Sequence, residues 1–152
     1  MYTIDASVHV SAYNPAEAQS AVSPAFLERM QENRVTVFSP TLLPVEVAAA
    51  VAGGIGDRDR ALALAAALRG IPNQLLIPLD DALADRAARL AATARLRVAD
   101  AVYAAVAQQY NTTLVTLDRQ QLEQLPPLVR VIRPTEALCQ MAAVSRQPGT
   151  DE

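Results

Sequence analysis

An α/β fold assembled from parallel βαβ units is predicted by two features of the sequence. Five short apolar segments have strand character, and the longer segments between them repeat their apolar residues at helical spacing. A third observation sets the scale. The chain has 152 residues, 51% of them hydrophobic and 19% charged, enough for one globular domain that buries roughly 70% of its unfolded surface. The expected domain spans residues 1–140, with 141–152 as a frayed C-terminal tail, because Ser145–Glu152 carries Gln, Pro, Gly and Thr without periodicity.

Strands are predicted near Tyr2–Asp5, Val35–Ser39, Leu75–Ile77, Thr113–Thr116 and Val129–Ile132, giving a central, mainly parallel five-stranded sheet. An alanine-rich helix over Leu42–Ala52 follows the second strand, with Pro44 tolerated near its start because the first helical turn needs no donor there. Gly53, Gly54 and Gly56 separate it from a helix over Asp57–Arg69, which places Ala61, Leu64, Ala65 and Leu68 on one face. Gly70-Ile71-Pro72 stops that helix. In Asp81–Ala94 the apolar side is Leu83, Ala87, Leu90, Ala91 and Ala94, Asp85, Arg86 and Arg89 lie opposite, and Asp80 and Asp81 cap the start. The segment Ala99–Ala107 is apolar on every side except at Asp100, so it is a central helix or faces a partner. A short helix over Arg119–Gln124 follows the fourth strand. His9 is expected as a partly buried helix residue, and Cys139 as a small core or surface residue.

All 13 basic residues are arginine, and the absence of lysine excludes a Walker-type phosphate loop and a Schiff-base site. The single Cys139 cannot form a CxxC pair, a cysteine-ligated zinc site or an internal disulfide, which fits a reducing cytoplasm. His9 alone cannot supply an HExxH zinc site, and no GxSxG elbow is present. With no tryptophan and 4% aromatic residues, a surface that reads bases by stacking is disfavoured. No uncharged apolar run reaches about 18 residues, so no membrane anchor is expected. The net charge of −3 does not suit a protein that holds polyanions by electrostatics alone, but a bound metal ion would reverse the local sign.

Four acids are placed by this reading on one rim. Asp5 ends the first strand at the carboxyl edge of the sheet, where open α/β sheets bind ligands. Glu46 lies early in the helix after the second strand, Asp100 opens the central helix, and Asp118 follows the fourth strand; each of these positions belongs to the same edge. Singly, Asp100 reads as an acid favoured at a helix N-terminus and Asp118 as a helix cap. Together they demand more, since Asp5 and Asp100 interrupt apolar runs where a lone carboxylate is costly to bury. Clustered carboxylates raise one another's pKa unless a cation is shared, and a hard divalent ion such as Mg²⁺ or Mn²⁺ suits an all-oxygen site.

The chain resembles the PIN-domain family, and within it the VapC-type toxins of toxin–antitoxin pairs. The residues that carry the resemblance are Tyr2-Thr3-Ile4-Asp5-Ala6-Ser7, Pro44-Val45-Glu46-Val47, Val98-Ala99-Asp100-Ala101 and Leu114-Val115-Thr116-Leu117-Asp118, spread over roughly residues 2 to 135. The resemblance implies a PIN-like three-layer α/β/α sandwich and metal-dependent hydrolysis of RNA. Asp5, Glu46, Asp100 and Asp118 would hold Mg²⁺ or Mn²⁺ and activate water, a chemistry that needs no lysine, cysteine or histidine. Ser7 and Thr116, two residues from Asp5 and Asp118, are candidates to orient carboxylates, or are simply a helix-start serine and a strand threonine. Ala6 departs from the family pattern, in which Ser or Thr is frequent, and removes a polar contact but no ligand.

Arg95 and Arg97 precede Asp100 and Arg119 follows Asp118, so these arginines are candidate RNA phosphate contacts or solvated surface charges. The resemblance also implies a cognate antitoxin as partner and a homodimer. The apolar faces of Leu42–Ala52 and Asp57–Leu68 would suit a groove for an antitoxin helix, and equally a core or a dimer seam. The main alternative is a PIN-like module that has lost catalysis and binds RNA or protein, against which stands the presence of all four acids. A haloacid-dehalogenase-like phosphatase needs an acid where Ser7 stands, and a receiver domain needs a lysine.

Overall fold

Tyr2, Thr3 and Ile4 form the first strand, β1 (Tyr2–Ile4), and Asp5 ends it by turning its carboxylate onto the backbone N–H of Ser7 at 2.9 Å. That contact caps helix α1 (Ala6–Tyr13). The computed structural model describes residues 1–14 and 21–144. The order then runs α2 (Val22–Glu32), β2 (Val37–Pro40), α3 (Leu43–Ile55), α4 (Arg58–Arg69), β3 (Gln74–Ile77), α5 (Asp81–Ala94) and α6 (Val98–Gln109). It closes with β4 (Thr113–Val115), α7 (Arg119–Gln124), β5 (Val131–Ile132) and α8 (Pro134–Val144).

The sheet has the order β3-β2-β1-β4-β5, and it is parallel throughout rather than mainly so. Adjacent strand residues feed opposite faces. Leu114 joins one core with Leu43, Val47, Leu68, Leu83 and the buried side chains of α6, whereas Val115 joins a second core with Ile4, Val8, Phe26, Met30 and Ala137. The helices α3 to α6 therefore cover one side and α2 and α8 the other, the three layers implied by the family resemblance.

The chain leaves β1 toward β2 and leaves β4 toward β5, in opposite directions across the sheet. The crevice above the carboxyl ends of β1 and β4 is thus a topological switch point, the place where open α/β sheets take ligands. Register is tight here: Asp5 N–H donates to the Val115 carbonyl at 3.0 Å, and the buried hydroxyls of Thr3 and Thr112 lie 2.6 Å apart.

Several local expectations are corrected. Gly53 and Gly54 do not separate two helices but lie inside α3, with no atom within 4 Å of an added Cβ at either. The helix ends only at Gly56, whose φ of +73° is the left-handed conformation that favours glycine. The fifth strand starts at Val131 because the N–H groups of Leu128 and Val129 donate back to the Leu125 carbonyl and close a turn. His9 is fully rather than partly buried, and Cys139 is exposed. Of the alternatives left open for the apolar sides of α3 and α4, the core is the one seen: they pack on each other and into the first core through Leu43, Val47, Val51, Ala61 and Leu68. Helix α8 runs to Val144, and positions 145–152, where the tail is expected, lie outside the described residues.

Candidate metal-binding active site

Four helices begin at the rim above β1 and β4, and each brings one acid. Asp5 is the N-cap of α1 and Asp118 the N-cap of α7, while Glu46 and Asp100 lie in the first turns of α3 and α6. The converging positive ends of the helix dipoles favour negative charge at this point. Asp5, Glu46, Asp100 and Asp118 all line one pocket of about 360 Å³, together with Ser7, Arg97 and Gln121. The relative exposure of Asp5 is 5% and of Asp100 2%, so neither is neutralised by bulk water.

Gln121 joins the two buried acids. Its Nε2 donates to Asp5 Oδ1 at 2.9 Å and to Asp100 Oδ1 at 2.8 Å, and its buried Oε1 has no hydrogen-bond partner among the described residues. Arg97 joins Asp100 to Asp118: Nε donates to Asp100 Oδ2 at 2.8 Å, and Nη2 to Asp118 Oδ2 at 2.8 Å and to Asp100 Oδ1 at 3.3 Å. Asp118 Oδ1 accepts the backbone N–H groups of Gln120 and Gln121. Thr116 ties the far side, donating from Oγ1 to Asp5 Oδ2 at 3.3 Å while accepting from Asp118 N–H at 2.9 Å. Ser7 Oγ lies 3.3 Å from Thr116 Oγ1 and accepts from Leu117 N–H at 3.0 Å.

Glu46 stands apart from this hydrogen-bonded set. Its Oε2 and the hydroxyl of the fully buried Tyr103 are buried without closing a hydrogen bond of full geometry, although the two groups influence each other's titration. Burial pushes the Glu46 carboxyl above the ordinary glutamate value, and the charges of Asp5 and Asp100 add to this against the opposing effects of Tyr103 and Arg97. Burial, with the charges of Asp5 and Glu46, drives the Tyr103 phenol well above its usual value, so it stays protonated. For Asp118, burial alone would raise the pKa, but Arg97 and the α7 amides outweigh it and hold the carboxyl below its usual range.

Among the described residues, no three of His, Cys, Asp and Glu sit close enough to form a ready-made metal cage. The donor set nevertheless fits a hard divalent ion that keeps part of its water shell, since every acid offers oxygen and no soft ligand intrudes. Such an ion would also supply charge for the unpartnered Glu46 Oε2.

The remaining arginines lie outside the carboxylate set. Arg95 is exposed at the C-cap of α5 with φ of 54°, and Arg119 pairs with Glu123 at 2.7 Å, its side chain 88% exposed. Two residues of the site were not anticipated from sequence, Gln121 and Tyr103. Each had a signal. Tyr103 is the lone hydroxyl in the apolar run of α6, one turn after Asp100, and Gln121 lies one turn after Asp118.

Comparisons with known proteins agree with this architecture. The PIN domain family model matches residues 2–126. No curated protein sequence matches the chain. Among solved structures, FitAcB from Neisseria gonorrhoeae superposes with a TM-score of 0.64 at 20% identity, covering 89% of this chain and 99% of that one. VapC20 from Mycobacterium tuberculosis, a toxin that cleaves the sarcin-ricin loop, gives 0.66 at 16% identity over 81% of this chain and 94% of its own. VapBC2 from Rickettsia felis, bound to a DNA fragment from its promoter, gives 0.65 at 15% identity, with coverage of 87% and 97%. At these identities the likeness speaks for the fold. The family match supplies the assignment, because it spans most of the chain and takes in all four acids of the rim: this protein belongs to the PIN-domain family.

Proposed function

We propose that this PIN domain is a Mg²⁺- or Mn²⁺-dependent endoribonuclease and the toxin component of a VapBC-type toxin–antitoxin pair, working in the cytoplasm. The observation that carries the reading is the meeting of Asp5, Glu46, Asp100 and Asp118 in one pocket at the switch point of the sheet. Asp5, Glu46, Asp100 and Asp118 are the residues that would hold the ion. When bound, it supplies an acidified water, charge neutralisation at the phosphate and alignment of the two.

The protein's own part is to hold the carboxylates ready. Ser7 N–H and the Thr116 hydroxyl fix one oxygen of Asp5, Gln121 fixes the other, and the α7 amides fix Oδ1 of Asp118. Tyr103, protonated and buried beside Glu46, bars water from beneath that carboxylate. Arg95, Arg97 and Arg119 supply the positive charge along the rim that an RNA backbone requires. Support for an antitoxin partner comes from fold neighbours that include a toxin–antitoxin complex from Klebsiella pneumoniae and the DNA-bound VapBC of Salmonella typhimurium. A homodimer belongs to the same proposal and is checked by sedimentation.

The test is cleavage of end-labelled RNA by the purified chain. Cleavage with Mg²⁺ or Mn²⁺, its arrest by EDTA, and its loss by at least a hundredfold in Asp5→Asn and Asp100→Asn with folding retained are the expected results. Undiminished cleavage by Asp100→Asn refutes the assignment.

A further inference from the structure

Among the described residues Arg97 is the one cation within the carboxylate set, and its bonds fall on oxygens that a metal ion needs. The second oxygen of Asp118, Oδ1, is taken by two backbone N–H groups of α7, so Oδ2 is the oxygen left to serve a cation, and Arg97 Nη2 holds it at 2.8 Å. On Asp100, Oδ1 accepts from Gln121 at 2.8 Å and Oδ2 accepts from Arg97 Nε at 2.8 Å. A divalent ion reaching Asp100 and Asp118 together and the Arg97 guanidinium therefore compete for the same two oxygens, Asp100 Oδ2 and Asp118 Oδ2, and for the same negative charge.

The two sides of this contact differ in exposure. The Arg97 side chain is 53% exposed, while that of Asp100 is 3% exposed. Arginine regains water when it lets go, at small cost for a pair open to solvent on one side. Asp100 has no such recourse, because a buried carboxylate stripped of its partner carries the desolvation penalty uncompensated. The arrangement allows exchange of one cation for another at Asp100 and resists leaving it bare.

We infer that Arg97 is a built-in counter-ion of the metal site, which holds Asp100 and Asp118 together in the absence of the divalent ion, competes with that ion for them and so lowers its affinity. The inference rests on the metal-dependent reading above and adds a control on loading to it. Removing Arg97 then acts twice in the same direction: the competitor is gone, and the charge of the pocket becomes one unit more negative.

Titration calorimetry with Mn²⁺ on the wild-type chain, Arg97→Gln, Arg97→Lys and Asp100→Asn tests this without any measurement of cleavage. Arg97→Gln binds Mn²⁺ about tenfold more tightly than wild type, a coupling of ordinary size between competing ligands. Arg97→Lys falls between them, because lysine keeps the charge but lacks the planar fork that spans two carboxylates. A second readout is thermal: in EDTA the Arg97→Gln chain melts below wild type, and Mn²⁺ raises its melting temperature by more than it raises that of wild type. Unchanged or weaker Mn²⁺ binding by Arg97→Gln, with wild-type binding intact and Asp100→Asn impaired, overturns the inference alone and assigns Arg97 to propping the ligands. Absence of Mn²⁺ binding by the wild-type chain overturns the metal-dependent reading and the inference with it. Should Arg97→Gln fail to fold, Arg97→Lys still decides, by binding Mn²⁺ more tightly than wild type or not.

Discussion

Replacing Gln121 by leucine removes the amide that ties Asp5 to Asp100 and keeps most of the side-chain volume. Two hydrogen bonds to carboxylates are lost, at 2.9 and 2.8 Å. Hydrogen bonds to charged groups contribute about 1.5–3 kcal/mol each. The lower end applies here, since Asp5 keeps Ser7 N–H and Thr116, and Asp100 keeps Arg97. The expected loss is about 3 kcal/mol, a large part of the roughly 5–15 kcal/mol that holds a domain of this size together. Urea unfolding followed by circular dichroism in EDTA measures it, as a lowered midpoint at constant slope. Repeating the titration in Mn²⁺ narrows the gap, because a cation shared by Asp5 and Asp100 then compensates the carboxylate charge that the amide stabilised only by hydrogen bonds. A Gln121→Leu chain within about 0.5 kcal/mol of wild type in EDTA, the range of an ordinary surface change, refutes the reasoning.

Two further predictions concern protons. Burial lowers the pKa of His9 from 6.5 to about 4, and neither ring nitrogen has a hydrogen-bond partner among the described residues. Between those values the unfolded chain binds a proton that the folded chain refuses, so stability is full above pH 6.5 and falls by about 3 kcal/mol on the way to pH 4. His9→Leu flattens that part of the stability profile in urea titrations at pH 7, 6, 5 and 4; an unchanged slope excludes His9 as its source. Glu46 has the opposite sign, because its folded pKa is raised and its ionised form is the strained one. Glu46→Gln is therefore expected to raise the melting temperature at pH 7 in EDTA while weakening Mn²⁺ binding at least tenfold. A variant that melts lower and binds Mn²⁺ normally contradicts both expectations.

The sheet and the helices of its larger core were legible because each depends on a local pattern. The bounds of α5 agree with expectation at both ends, since Asp80 caps its start and the apolar residues Leu83, Ala87 and Leu90 mark its buried side. Helices α2 and α8 were harder to see. The buried side of α2 consists of Ser23, Phe26 and Met30, so one of its three inward positions is polar. The start of α8 is marked only by Pro134 and by Glu136 reaching back to the Arg133 N–H at 2.7 Å. The four acids stood out because they interrupt apolar runs or close elements at one edge. What joins them did not, because Gln121 reaches Asp5 across 116 positions and Asp100 across 21. Sequence spacing places a residue at an edge, but which carboxylate its side chain meets follows from the packing of distant segments. Arg97 shows this well. Its position beside the acids was plain, yet its bonds go to Asp100 and Asp118.

The pairing of β1 with β4 governs when the protein can begin to act. Asp5 leaves the ribosome well before its backbone partner Val115 and its side-chain partners Thr116 and Gln121, which are made more than a hundred residues later. A nascent chain that stops short of β4 holds Asp5 and Glu46 without the segment that completes their pocket. The pocket proposed above as a nuclease site is therefore complete only once β4 and α7 have been made.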